Sequence, residues 1–567
     1  MDYSCIASAI DKLSNQFWSI ERDQAVGLIL FSVLLAVLCA PAVLVLYQRR
    51  VQKLMSMSVP NDANPSVTDS TARAKPATVL DAIPTPEALL AAADERGRAL
   101  WKALAFSVAA FTVGIALAIT ISPDAPGELS RRPLWEWVLG FFGYLIFVGS
   151  LSVPMVLLGT ASGRFAGLFW KWFAPAYVGI AAVAMIYDDE MAQAERVETF
   201  VQGIVILAVL YAALGGRRMR NVVPLLSVLI CLLILALATL GSVTDIVSAC
   251  AAEDSLVAAS LLSLASLAGM WAAWRAVLVA GGGLARAYER KLLSDAQFQV
   301  GAWMILITLI FALAPGEMEL GLNIWSLGVI PPLIISLWLY RKLLKRVAPW
   351  KPPRALLLLR VFARDKRGER LLDEIAFRWR FIGPIHMIGG PDLAKTTLEP
   401  NELLLFLRRG LRQILVTDRP SLERRLTELD LAPDPDARYR INESFCSDNA
   451  WQDAVRGLLD VSDAVLLDLR GFTAARRGTA FEVRLLAERN ALKKTVFITD
   501  NETDMEAIEQ SMAGIPNAKM PAERILRSDS RVAGADIFRL LVSGTGNIEA
   551  LQAEPETHPR KETASES

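Results

Sequence analysis

The sequence predicts an all-α polytopic membrane bundle of about nine helices, followed by an α/β domain built on a doubly wound parallel sheet. Three observations carry this. Apolar residues make up 53% of the 567 and mean hydropathy is +0.37, yet long apolar runs fill the first part of the chain while Arg, Asp and Glu crowd the last part. Basic and acidic clusters alternate between the apolar runs. After Pro349, short apolar strands alternate with amphipathic helices, the pattern of a parallel sheet.

Residues 1–24 are polar, with mixed charge, and lack the basic start of a secretory signal. The first span is expected over 25–47, long enough for a hydrocarbon core of roughly 30 Å. Arg49, Arg50 and Lys53 follow it, which places this end in the cytoplasm and the N-terminus outside. A cytoplasmic linker is expected over 48–102, rich in Pro, Ser, Thr and Ala without periodicity, its end (86–100) able to form a helix leading into the membrane. Eight further spans are expected within 103–347, near 103–121, 138–158, 165–186, 200–214, 222–240, 256–274, 300–313 and 322–340. The loops containing Arg164 and Lys171, Arg217 to Arg220, Arg275 to Lys291, and Arg341 to Arg346 then fall on one side, and the loops with Asp124, Asp188, Asp245 and Glu317 on the other, Arg131 and Arg132 on the acidic side being the one exception. An odd count satisfies the positive-inside rule and puts the last domain in the cytoplasm. A transporter needs polar groups at mid-membrane depth, and these runs hold almost none.

The α/β domain is expected over 350–547, with a polar, disordered tail at 548–567. Ala355–Phe362 reads as the first strand, 370–381 as a helix carrying Leu371, Leu372, Ile375, Ala376 and Trp379 on one face, and 385–388 as a second strand. Further strands are expected at 439–445, 464–469 and 495–499, and helices at 449–459, from Thr479, at 503–512 and at 536–542. Zero net charge gives no support for nucleic-acid binding. Five scattered cysteines, no CxxC and two histidines point away from a metal or haem cofactor.

The stretch Asp463–Leu486 holds the strongest functional signal. Its strand ends in a polar loop, and open α/β sheets bind ligands at the carboxyl ends of their strands. Gly478 and Thr479 predict a turn and an N-cap, with Glu482 at the N3 position of a capping box. Glu482 therefore has a structural reading, a capping acid beside the helix dipole, next to a catalytic one. Arg424, Arg425, Arg476 and Arg477 read first as solvated faces. His386 reads as a packed residue on an apolar strand.

The strand residues Asp463 to Asp468, followed by Arg477-Gly478-Thr479-Ala480-Phe481-Glu482, resemble the core of the TIR-like Rossmannoid group, and within it the nucleoside 2-deoxyribosyltransferases. The opening Leu356–Asp365, the segment Gly383–Pro391 and the Trp451 helix are similar to bacterial multi-span membrane proteins carrying such a cytoplasmic domain. The resemblance covers roughly 354–500. It implies an inner-membrane location and an attack at an N-glycosidic C1′ through an oxocarbenium-like state. Glu482 would be the reacting carboxylate. Asp468 would hold ribose hydroxyls, Arg360 and Arg364 would hold phosphate, and Arg470, Gly478 and Thr479 would line the ligand site. Arg476 and Arg477 stand where the deoxyribosyltransferase pattern has acids, which favours a nucleotide or dinucleotide over a free nucleoside. No G-x-G-x-x-G follows the first strand.

The leading reading is a membrane-anchored module that recognises a nucleotide, acting as a regulated N-glycosidase on NAD or a related nucleotide in signalling or defence. Its expected partners are the lipid bilayer, the nucleotide and other copies of itself as a homo-oligomer. The rival is a non-catalytic scaffold or sensor that uses the domain for protein association. A transporter with a regulatory domain is the third.

Overall fold

A computed structural model describes residues 22–55, 85–121, 133–159, 286–312, 326–360, 366–389, 410–447, 449–516, 518–527 and 534–543, with scattered positions at 222–284 and 403–406. Helix α1 spans Arg22–Met55, α2 Pro86–Ile121, α3 Leu134–Gly159, α4 Asp295–Ala312 and α5 Ile330–Leu344. Among the described residues two helices are long and apolar enough to cross a membrane, Phe31–Met55 and Pro86–Ile121. That is two, where the sequence led us to expect about nine. Helices α3, α4 and α5 overlay three more of the expected spans. The expected spans 165–186 and 200–214 lie outside the described residues, as do part of 222–240 and most of 256–274.

The expected linker over 48–102 is helical at both of its ends. Helix α1 continues to Met55, and α2 begins at Pro86 and runs unbroken into the second span. At 1.5 Å per residue, 36 residues reach about 54 Å, far more than a bilayer core requires. The surplus packs on protein: Leu89, Ala93 and Leu100 are buried in one hydrophobic cluster with Trp379, Phe381 and Phe538. Asp94 pairs with Arg378 at 3.0 Å, and the Arg96 guanidinium donates to the Ala348 carbonyl and lies over the Trp350 ring.

The α/β domain follows with β1 (Leu356–Arg360), α6 (Lys366–Trp379), β2 (Ile385–Gly389), β3 (Leu415–Val416), α7 (Arg419–Thr427), β4 (Ile441–Cys446) and α8 (Trp451–Asp460). It continues with β5 (Ala464–Asp468), α9 (Arg477–Glu488), β6 (Thr495–Thr499), α10 (Met505–Ser511), β7 (Ile525–Arg527) and α11 (Gly534–Val542). All seven strands are parallel, in the order β3-β4-β2-β1-β5-β6-β7. The central strands β1 and β5 are apolar over most of both faces because both faces are covered. Leu356, Leu358, Ala464, Leu466, Val496 and Ile498 turn to one side, against α6, α11 and the end of α2. Leu357, Leu359, Val465, Leu467 and Phe497 turn to the other, against α7, α8, α9 and α10. The expected apolar face of α6 is buried as predicted, from Leu371 to Trp379.

The amino edge of the sheet meets the chain around 288–295. Arg380 pairs with Asp295 at 2.6 Å, and Lys291 and Arg440 each pair with Asp434 at 2.9 Å. The Arg440 guanidinium stacks on Tyr288, 3.7 Å from the ring centroid, and donates to its carbonyl. The carboxyl edge, where ligands of such sheets bind, is the opposite one.

Candidate functional site

The chain builds β1 to β4 on one side of β1 and then returns to lay β5 on its other side. That reversal falls at the carboxyl ends of β1 and β5, the position where open α/β sheets take ligands; residues 361–365 after β1 lie outside the described residues. In the register, Arg360 and Asp468 are direct partners at the ends of these two strands. The sheet thus brings together two of the residues singled out from the sequence. Arg364 lies outside the described residues.

Asp468 is buried and already engaged. Its carboxylate receives two parallel bonds from Arg470, Nε to Oδ1 at 2.8 Å and a terminal nitrogen to Oδ2 at 2.6 Å, plus the Arg470 backbone N–H at 3.2 Å. This bidentate fork is the strong form of a carboxylate pair. The fork fixes the position of the Asp468 carboxylate at the end of β5.

The loop after β5 is pinned by a residue the sequence reading missed. Asp500, just past β6, accepts from the Gly471 backbone N–H at 2.9 Å and from the Thr503 hydroxyl at 2.8 Å. Burial works against the charge on Asp500, yet these bonds and the Glu502 N–H hold its pKa below the ordinary value. Gly471 sits at φ +64, in the left-handed region that favours glycine. The only signal for Asp500 was an acid at a strand end, as at Asp468.

The start of α9 differs from expectation. Arg476 is the N-cap and offers no side-chain cap, and Arg477 is the first helical residue. The intrahelical ladder opens with the Ala480 N–H bonded to the Arg476 carbonyl. Gly478 and Thr479 therefore lie inside the first turn, and Thr479 is buried. Glu482 falls in the second turn, too deep to reach back to the cap, so the capping-box reading of this acid is overturned. The helix starts earlier because the Arg476 and Arg477 N–H groups bond into the preceding loop, at the Thr473 and Ala475 carbonyls.

What Glu482 does instead is unusual. It is 3% exposed, and among the described residues its Oε2 has no hydrogen-bond partner. Burial alone pushes its pKa up to about 8, so the group is mostly protonated at neutral pH. An uncompensated buried acid is costly, and acids of this kind concentrate at functional sites. Beside it, Phe481 packs edge-on against Trp451 with centroids 5.2 Å apart, and Arg456 lies over the Phe481 ring. Among the described residues, no group of three or more Cys, His, Asp or Glu could hold a metal ion.

Two cavities, of about 550 and 760 Å³, lie elsewhere, at the amino edge of the sheet and at the end of α1; Glu482 lines neither. Comparison with protein-family models, with curated proteins and with solved structures gives no match to this chain.

Proposed function

We propose that the α/β domain recognises a nucleotide at the carboxyl ends of β1 and β5 and cleaves its N-glycosidic bond, with Glu482 as the reacting acid and NAD as the first candidate. In this reading a bundle of about nine spans holds the domain on the cytoplasmic side of a bacterial inner membrane. The observation that supports it most is Glu482, buried and with no hydrogen-bond partner for its Oε2 among the described residues, in the second turn of the helix that follows β5. Cleavage breaks the C1′–N bond, the base leaves with the electron pair, and water adds at C1′. A carboxylate stabilises the cation that develops between those events. Glu482 must first lose its proton. A ligand bearing a cationic ring lowers the pKa of a nearby acid, which couples binding to ionisation.

The scaffold reading draws on a specific observation too: Asp468 and Arg470 close on each other, and Glu482 lines neither of the two cavities. A ligand panel separates the two. The full chain in detergent, with NAD and other nucleotides, is expected to show a ligand-dependent rise in Tm that Glu482→Gln diminishes. A flat response to every nucleotide would favour the scaffold.

A further inference from the structure

The cavity of about 760 Å³ lies where α1 meets the sheet edge, lined by Leu54 of α1 and by Arg412, Leu415, Thr417, Arg424 and Glu428 of the domain. Its charge is lopsided. Arg412 and Arg424 take part in no side-chain hydrogen bond or ion pair among the described residues, and both are exposed. Arg50, also exposed, precedes Leu54 by four residues and so shares its side of α1. Glu428 is the one acid in the lining. The neighbouring Asp418 is occupied as the N-cap of α7, accepting the Ser421 N–H at 2.8 Å.

Depth points to the ligand. If the hydrocarbon core ends near Tyr47, Arg50 lies about 5 Å and Leu54 about 10 Å beyond it, at 1.5 Å per residue. The headgroup layer of one leaflet is roughly 5–8 Å thick. Arg50 thus stands at headgroup level, and the cavity beside Leu54, with Arg412 and Arg424 in its lining, opens just outside it. Solvent-level phosphate sites need no such placement, whereas juxtamembrane arginines attract anionic lipid.

We infer that this cavity is a binding site for the phosphate headgroup of an anionic phospholipid, which bridges the cytoplasmic end of α1 to the β3–α7 edge of the domain. The inference rests on α1 being a membrane span and is independent of the Glu482 chemistry.

The test uses the full chain in detergent, titrated with phosphatidylglycerol, phosphatidylethanolamine or inorganic phosphate while Tm is followed. Phosphatidylglycerol is expected to raise Tm, and the other two are not. The double variant Arg412→Gln with Arg424→Gln should weaken the apparent affinity about thirtyfold, two arginines at about 1 kcal/mol each. Both side chains are exposed, so the variant keeps its fold. Glu428→Gln, which removes the opposing charge, should strengthen binding. Equal affinity in all three proteins, no response to phosphatidylglycerol, or an equal response to inorganic phosphate would overturn the proposal. Release of the chain from membranes by alkaline wash would instead overturn the span on which it rests.

Discussion

At the scale of single residues, Glu482 decides the account. Its folded pKa of about 8 lies above the ordinary 4.5. Between these values the unfolded chain has lost the proton and the folded chain keeps it. Unfolding then releases a proton, so stability falls as pH rises, on the order of 1.4 kcal/mol per pH unit. Wild-type Tm should decline from pH 5 to pH 8 more steeply than that of Glu482→Gln, whose amide cannot ionise. Parallel pH profiles would mean that the carboxyl finds a partner or water. The sequence identified Glu482 through a strand–loop–helix pattern but assigned it the wrong local geometry, because one loop residue more or less moves a helix start. Asp500 was illegible for another reason: its partner Gly471 is 29 residues away and meets it only when β5 and β6 pair.

At the scale of elements, the fully buried strands were the most readable features. β1, β2, β5 and β6 each appear as short, mostly apolar runs, whereas β4 carries Asn442, Glu443 and Ser444 within it. β3 and β7, of two and three residues, leave no such trace. Helix α6 was legible from its spacing, and Trp379 shows why the face matters. It is fully buried, packs edge-on against Phe538 at 5.9 Å, and donates from Nε1 to the Arg354 carbonyl at 3.1 Å. Trp379→Ala should cost about 3–5 kcal/mol, seen as a large fall in Tm, whereas Arg419→Ala, which loses only an exposed pair with Glu423, should change it by less than about 1 kcal/mol.

At the scale of the whole molecule, α2 is the link the sequence concealed. Asp94 and Arg378 are 284 positions apart, and no local pattern announces their contact. The stretch before residue 103 reads as a linker ending in a helix over 86–100; that end, from Pro86, packs into the domain's core. Arg96 and Arg98 should therefore resist limited trypsin digestion in the full chain. Leu89→Glu, which places a charge in a fully buried site, should detach the segment and expose both bonds. Equally rapid cleavage in wild type and variant would restore the flexible tether. Helix α2 joins its long apolar half directly to α6 and α11, and so to one face of the sheet.

The measurement that tests the central claim most directly is base release from NAD by the full chain in detergent, resolved by chromatography, beside Glu482→Gln. The account predicts release that rises with pH toward about 8, as Glu482 ionises, and that is lost in the variant. Release of the same size from Glu482→Gln, or none from either protein with any nucleotide tried, would contradict it.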